Sequence, residues 1–269
     1  MVVLPLLLAF QLAQAPSPMV ENTRAHLRQQ QRAVPGQRLP TPFGDILLPP
    51  SVRPAKPIPL VIHFHGTPWL AEQSARQALP KTAVLAVNLG SGSRVYAEPF
   101  RDPAALPSIL QALGRPVSRL YLTSFSAGYG AVREILRQPQ NAALVTAVVL
   151  LDSMHSGYDP PEDQRQPLPP DLDAFEQFAR RAIAGRARLL ILHSEIFPST
   201  FASTTETSDW LLARLGLRRR PVLRWGPLGM QIVSDTRRGK LRVLGFAGNS
   251  APDHVDHLHA LPWALKRLP

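Results

Sequence analysis

The segment Leu120-Tyr-Leu-Thr-Ser-Phe-Ser-Ala-Gly-Tyr-Gly-Ala-Val-Arg-Glu-Ile-Leu136 changes its hydrophobic pattern part-way along. Residues 120–122 form an apolar run typical of a buried strand, whereas the apolar residues of 131–136 recur at a helical spacing. Small residues fill the turn between the two patterns. A strand, a sharp turn and a helix lift one side chain above the edge of a sheet, next to the N-terminus of the helix. The segment therefore predicts an α/β arrangement that displays Ser126.

The turn itself predicts a nucleophile. Ser124-Phe-Ser-Ala-Gly128 has the five-residue form in which a central serine, here Ser126, is exposed for attack. Ser124 stands where such turns usually carry a glycine, but it is small enough for close packing of the strand against the helix. Gly128 and Gly130 are expected where the helix approaches the strand. The alternative interpretation is an ordinary strand-to-helix turn with a serine that caps the helix.

Two further motifs fit a serine nucleophile. His63-Phe-His-Gly66 ends an apolar run, and the cluster Asp253-His-Val-Asp-His257 follows the last β-like segment. Together with the turn at Ser126, these motifs resemble the α/β-hydrolase superfamily, in particular compact serine esterases and lipases, over roughly residues 45–265. The resemblance implies an α/β fold with a mostly parallel, eight-stranded sheet flanked by helices and little or no lid. It also implies a Ser–acid–His triad in that chain order.

The resemblance places the catalytic histidine just after the last strand. His254, His257 and His259 all lie there. His254 is closest to the strand end and is the predicted base, which would take the proton of Ser126. His257, one helical turn later, is the alternative.

Two carboxylates compete for the role of the acid that orients the histidine. Asp152 follows the apolar run 142–151, and Glu195 follows a strand predicted over residues 188–192. Glu195 has the position that the resemblance makes more usual, whereas Asp152 has the shorter side chain that is commoner in triads. Asp152 is placed first and Glu195 remains the alternative. The non-catalytic interpretations are a helix-capping aspartate and a surface ion-pairing glutamate.

The motif after the strand at residues 60–64 predicts an oxyanion hole. Gly66 lets the backbone turn inward, and the amide of Thr67 is a predicted donor because Pro68 has no N–H. The amide of Ala127 would be the second donor to the oxygen of a tetrahedral intermediate. His63 and His65 are interpreted as buried or supporting side chains, not as metal ligands.

Composition restricts the class of protein. The 269 residues are 45% hydrophobic and 18% charged, which is typical of a globular chain. The absence of cysteine excludes disulfides, thiolate metal sites and cysteine nucleophiles. The net charge of +11 comes from scattered arginines without an aromatic-interleaved basic stripe. Specific nucleic-acid binding is therefore not expected, although non-specific binding of polyanions is a possible role of the basic surface.

The N-terminal residues predict export. Residues 1–15 contain an apolar run, too short to span a bilayer, followed by a small-x-small cleavage pattern. They are interpreted as a signal peptide, with a buried first strand or helix as the alternative. Residues 16–42 are interpreted as an extension, and residues 43–269 as one hydrolase domain. A periplasmic or extracellular location and no membrane span follow from this interpretation.

The sequence thus predicts a serine hydrolase that cleaves an ester, in preference to an amide, without a cofactor or metal. The expected substrate is a small-molecule or polymer-bound ester; the sequence does not determine the oligomeric state. Two alternatives remain. One is a non-catalytic binding protein of the same fold, and the other is a metal-dependent hydrolase that uses the cluster at residues 253–257.

Overall fold

A computed structural model describes residues 28–50, 56–160 and 164–269. The predicted signal peptide, residues 1–15, lies outside these ranges, as do residues 16–27 of the predicted extension, so export stays a prediction. In the described ranges, no helix is both long enough and apolar enough to cross a membrane.

The described residues form twelve strands, ten of which belong to one sheet. The strands are β1 Gln37–Thr41, β2 Gly44–Leu48, β3 Ile58–Phe64, β4 Ala83–Val87, β5 Val117–Phe125, β6 Val145–Leu151, β7 Tyr158–Asp159, β8 Gln166–Pro167, β9 Arg188–His193, β10 Pro221–Trp225, β11 Gln231–Arg238 and β12 Leu241–Phe246. The main sheet has the order β1-β2-β4-β3-β5-β6-β9-β12-β11-β10, and β7 pairs with β8 in a separate ribbon.

The centre of the sheet is parallel, as predicted. The six strands from β4 to β12 in the sheet order run parallel to one another, whereas β1, β2, β10 and β11 pair in antiparallel fashion. The sheet has ten strands instead of the expected eight because β10 and β11 extend it beyond β12. This pair lies between β9 and β12 in the chain but is added at the edge of the sheet.

Nine α-helices connect the strands of the described ranges. They are α1 Pro68–Ala78, α2 Ser93–Phe100, α3 Ala105–Ala112, α4 Tyr129–Arg137, α5 Pro139–Leu144, α6 Pro169–Ile183, α7 Thr204–Arg214, α8 Ala251–His259 and α9 Leu261–Lys266. Helices α1, α8 and α9 cover one face of the sheet, and α2, α3, α4, α6 and α7 cover the other.

The central strands are apolar on both faces because helices bury both faces. In β6, for example, Val148 and Leu150 belong to one apolar cluster, whereas Val149 and Leu151 belong to the cluster on the opposite face. This alternation follows from the two-residue period of a strand. The near-continuous apolar run in the sequence is therefore the pattern of a fully covered strand.

Residues 28–42 belong to the folded unit instead of forming a separate extension. β1 pairs with β2 in register from Gln37–Leu48 to Thr41–Gly44. Upstream, Arg28 donates a 2.7 Å hydrogen bond to Asp256, which lies in α8. The domain therefore begins before residue 43. The sequence did not indicate this because Pro40 interrupts a short strand at the edge of the sheet.

The segment 88–100 contains a helix although its first residues are rich in glycine and serine. Gly90 and Gly92 have positive φ angles and form the turn, but α2 starts immediately after them at Ser93. Tyr96 and Phe100, four residues apart, are both fully buried. Burial of these two rings against the sheet stabilises a short helix that its glycine- and serine-rich start does not predict.

We expect Gly130→Ala to destabilise the fold. A Cβ atom at Gly130 would lie 2.2 Å from the carbonyl oxygen of Ser93, so α2 and α4 would have to separate. Gly130 thus contacts a neighbouring helix, not the strand that we expected. Overpacking of this kind costs roughly 1–3 kcal/mol of unfolding free energy or more, which denaturant unfolding would measure. In Gly157→Ala, the matched control, the new Cβ would lie 3.7 Å from Leu168, an ordinary contact; equal stability of the two variants would contradict the prediction.

Candidate active site

The turn around Ser126 has the predicted strand–turn–helix form. β5 ends at Phe125, a 3-10 turn covers Ser126–Gly128, and α4 follows. Ser126 has a φ angle of +45°, a conformation that costs energy for any residue with a Cβ. A Cβ atom on Gly128 would lie 2.1 Å from the carbonyl oxygen of Phe64, the last residue of β3. The helix can begin this close to the sheet only because residue 128 is glycine.

Ser124 has a role that the sequence did not reveal. Its buried hydroxyl lies 2.8 Å from the hydroxyl of Ser153, and the Ser153 hydroxyl donates a 2.8 Å hydrogen bond to the carbonyl oxygen of Ser126. The residue in the usual glycine position therefore helps to connect the strained serine turn to the loop after β6. No local pattern could predict this contact, since 29 residues separate the two hydroxyls.

Asp152 lies directly after β6 and is fully buried. Its carboxylate accepts hydrogen bonds from the Ser194 N–H (2.9 Å), the Ser194 hydroxyl (2.7 Å), the Thr204 hydroxyl (2.5 Å) and Nδ1 of His254 (2.6 Å). Burial by itself would raise the pKa of Asp152. The hydrogen bonds from His254 and Thr204 and the nearby charges of His254 and His257 outweigh burial and hold the pKa well below its usual range. Asp152 is therefore ionised at neutral pH.

His254 lies in the first turn of α8, where the chain returns to the sheet edge after β12. A capping box fixes the start of this helix: the Ser250 hydroxyl accepts the Asp253 N–H, and the Asp253 carboxylate accepts the Ser250 N–H. Because a carboxylate only accepts, Nδ1 of His254 donates the hydrogen bond to Asp152, and Nε2 is the ring nitrogen left for another partner. The His254 ring contacts the ring of Phe125, with centroids 4.4 Å apart. The imidazole thus lies beside the residue that precedes Ser126.

The two alternative triad residues are placed differently. Glu195 is exposed on the loop after β9, and its backbone N–H bonds to Gly248. His257 is fully buried with its ring edge-on to Phe246 at 5.1 Å, and burial lowers its pKa. The structure therefore brings Asp152 and His254 together, and places neither alternative in a hydrogen bond with them. The segments after β6 and β12 converge at this hydrogen bond, whereas the Glu195 side chain is exposed on the loop after β9.

The loop after β3 is held in an unusual conformation. His65 and Gly66 have φ angles of +71° and +122°. The His65 ring stacks on Phe125 at 5.8 Å, and its Nδ1 lies 2.8 Å from the hydroxyl of Tyr96. Burial lowers the pKa of His65. Gly66 is followed by Thr67, the N-cap residue of α1, so the predicted amide donor lies between a fixed loop and a helix start.

His63 is buried, as its interpretation as a supporting side chain requires. Its Nδ1 lies 2.7 Å from the Thr123 hydroxyl on the neighbouring strand β5. Burial lowers the pKa of His63 to about 4, so the ring is neutral. Tyr96 is fully buried and uses its hydroxyl to hold the loop at His65.

The cluster at residues 253–257 does not form a metal site in the described ranges, where no group of three or more potential ligands is arranged around one point. Its members face different partners. Asp253 caps α8, His254 binds Asp152, Asp256 accepts a hydrogen bond from Arg28, and His257 packs on Phe246. The side chains of this cluster are therefore used for helix capping, hydrogen bonding and packing.

These features decide the fold. A mostly parallel sheet carries a strained serine after β5, a buried acid after β6 and a histidine after β12, in that chain order. The chain has the α/β-hydrolase fold. All three side chains lie at the carboxyl edge of the parallel strands, where ligands bind in α/β proteins.

Comparison with solved structures found distant similarities. A thermostable esterase is 17% identical, with a TM-score of 0.46, over 86% of this chain and 60% of that one. Dipeptidyl peptidase 4 from Porphyromonas gingivalis is 14% identical, with a TM-score of 0.44, over 70% of this chain and 31% of that one. An alpha/beta hydrolase fold protein from Nakamurella multipartita is 11% identical, with a TM-score of 0.39, over 84% of this chain and 98% of that one.

The chain thus spans less than two thirds of the length of the first two proteins. Similarity at this level indicates neither a shared substrate nor a shared activity. No protein-family model matches the sequence, and no curated protein matches it either.

We expect the pH dependence of stability to report the ionised state of Asp152. Because its pKa is held below the usual range of about 4, the unfolded chain binds a proton near pH 3 that the folded chain does not. Stability should therefore fall as the pH drops below about 4, with a contribution from this residue of up to ~1.4 kcal/mol per pH unit. Asp152→Asn should lose that contribution, which denaturant unfolding between pH 3 and pH 7 would measure. Equal slopes for wild type and variant would contradict the assignment.

The contacts of Ser153 predict that Ser153→Ala destabilises the fold more than Ser124→Ala does. Ser153→Ala leaves the buried Ser124 hydroxyl without its partner and removes a donor from the Ser126 carbonyl, so we expect a loss of about 1–3 kcal/mol. Ser124→Ala leaves Ser153 bonded to that carbonyl and should cost less, below about 1 kcal/mol. Chemical denaturation of both variants tests this. A larger loss for Ser124→Ala would show that the bond to the Ser126 carbonyl is not the important one.

Proposed function

We propose that the protein is a serine hydrolase that cleaves carboxylic esters through an acyl-enzyme. The observation that carries the proposal is the 2.6 Å hydrogen bond from Nδ1 of His254 to the buried carboxylate of Asp152, at the sheet edge where Ser126 has a φ angle of +45°. A buried ionised acid, an oriented imidazole and a strained serine are the groups that nucleophilic ester cleavage needs.

The reaction would proceed in two halves. Ser126 Oγ attacks the ester carbonyl carbon as its proton passes to Nε2 of His254. The bond between the carbonyl carbon and the alcohol oxygen then breaks, and the alcohol leaves with that proton. Water attacks the acyl-enzyme while Nε2 accepts one of its protons, and this proton returns to Ser126 as the acid departs. Asp152 stays ionised throughout and stabilises the imidazolium.

The negative charge of the tetrahedral intermediate requires donors. Ala127 lies in the first turn after β5, where backbone N–H groups have no carbonyl one turn earlier to bind. Thr67 follows Gly66, whose φ angle of +122° turns the backbone at the end of β3. We assign the amides of Thr67 and Ala127 to the oxyanion, because both follow strands that end at the same edge as Ser126.

The surroundings of Ser126 favour a substrate that can enter an open cavity. Ser126 and Ala127 line a cavity of about 540 Å³, a volume typical of small-molecule sites. Between β6 and α6, the described residues form only the short ribbon β7–β8, which is too small to be a lid domain. A small ester, or an ester group carried on a polymer, fits such an opening.

Labelling with a fluorophosphonate probe tests the activated serine. We expect the wild type to be labelled and to hydrolyse p-nitrophenyl acetate. Ser126→Ala should abolish labelling, and both Ser126→Ala and His254→Ala should lower kcat by roughly ten-thousand-fold or more, because neither can generate the alkoxide.

Ser108→Ala is the matched control. Ser108 lies in α3, where its hydroxyl bonds to the Ala105 carbonyl, so this variant should be labelled like the wild type. A folded wild type that takes no label would contradict the proposed function. Labelling that survives in Ser126→Ala would assign the nucleophile to another residue.

A further inference from the structure

The cavity beside Ser126 has an unusual combination of walls. Aromatic rings line one part of it, from Tyr129 in α4, His155 after β6 and Phe201 before α7. The His155 ring meets both other rings edge to face, with centroid distances of 5.6 Å to Tyr129 and 5.0 Å to Phe201. The three rings thus surround one space, and their edges and faces can pack against the ring of a ligand.

His155 is held as a neutral member of this wall. Its Nδ1 lies 3.0 Å from the carbonyl oxygen of Ala202, which can only accept, so Nδ1 carries the proton. Burial also lowers the pKa of His155. The wall therefore contributes no charge at neutral pH.

An ion pair lines another part of the same cavity. Arg133, one helical turn after Tyr129, donates a 2.8 Å hydrogen bond from Nη1 to Asp171 at the start of α6. Asp171 also accepts the Gly157 N–H at 3.0 Å. The Arg133 side chain is only 12% exposed. Nη2 of Arg133 donates to none of the described residues, so the guanidinium retains unused donors beside the Asp171 carboxylate.

The charges around this pair are balanced. Arg133 pairs with Asp171 at 2.8 Å, and Glu134 pairs with Arg137 at 2.7 Å as well as with Arg133 at 3.2 Å. Two arginines thus face two carboxylates. An anionic substrate group would have to compete with Asp171, whereas a hydroxyl can accept from Arg133 and donate to Asp171 without separating them. An alkyl group would cover the pair without replacing its contacts with water, which is costly.

We propose that this cavity selects esters in which the acyl or alcohol part is a hydroxylated ring. The ring packs against Tyr129, His155 and Phe201, and its hydroxyl binds the Arg133–Asp171 pair. The inference rests on the proposed function, since it places the ester carbonyl at Ser126. Both an aryl ring and a sugar ring have this chemistry, and matched substrates distinguish them.

The test compares kcat/KM within two matched pairs of esters. The aryl pair is methyl para-hydroxyphenylpropanoate and methyl phenylpropanoate; the sugar pair is an acetylated methyl glucoside and cyclohexyl acetate. We expect the hydroxylated member of at least one pair to be preferred about 10- to 100-fold, the effect of one hydrogen bond to a charged group. Which pair shows the preference identifies the ring. Hydrolysis without a preference in either pair would overturn the inference but leave the proposed function intact.

Two arginines on one helix provide a matched control. Arg133→Met should remove the preference, and Arg133→Lys, which keeps the charge but loses the planar fork, should reduce it. Arg137→Met, four residues further along α4 and outside the lining of this cavity, should retain it. Phe201→Ala changes an exposed ring and should raise KM for both members of a pair while leaving their ratio unchanged. A preference that survives in Arg133→Met would contradict the role of the ion pair.

Binding to Ser126→Ala separates the two proposals. We expect this variant, which cannot form the acyl-enzyme, to bind para-hydroxyphenylpropanamide or methyl glucoside more tightly than phenylpropanamide or cyclohexanol, respectively, by isothermal titration calorimetry. If the wild type cleaves no ester but this preference is measured, the proposed function is wrong and the subsite is right. Equal affinities within both pairs would overturn the subsite whatever the activity.

Discussion

Much of the site is arranged around the buried Asp152 carboxylate, whose charge must be compensated by hydrogen-bond donors. An ionised carboxylate removed from water is strongly destabilising unless donors surround it. Here four donors do so, and they come from the loop after β9, the start of α7 and the start of α8. The same contacts that compensate the buried charge therefore fix the position of His254. Removing any of these elements would leave the charge partly unpaired.

The carboxyl edge of the sheet also stores backbone strain. Six non-glycine residues of the described ranges have positive φ angles, and four of them lie in loops directly after parallel strands: His65, Ser126, Asp152 and Met154. Such conformations persist only where the surroundings determine them. The stacked rings of Phe125 and His65 and the hydroxyls of Ser124 and Ser153 supply those surroundings. Neighbouring loops thus hold one another in these conformations.

Neighbouring residues that follow β5 line two parts of the same cavity. The 3-10 turn before α4 presents Ser126 and Ala127, and α4 itself presents Tyr129 and Arg133 to the same space. One continuous segment therefore fixes Ser126 relative to Tyr129 and Arg133, whereas His155 and Phe201 reach the cavity from the segments after β6 and before α7. One of the scattered arginines, Arg133, forms a partly buried ion pair at this point, in which the two side chains are 12% and 22% exposed.

The sequence by itself determined the strand–turn–helix at Ser126, the apolar central strands and the capping box that starts α8, because each depends on residues close together in the chain. Only the tertiary structure decided the rest. Pairing of β1, formation of α2, the hydrogen bond between His254 and Asp152 and the contact between Ser124 and Ser153 all depend on groups brought together from distant segments. These contacts cannot be predicted from local periodicity, because they depend on which loops meet at one edge of the sheet. They also depend on the requirement that buried polar groups have hydrogen-bond partners.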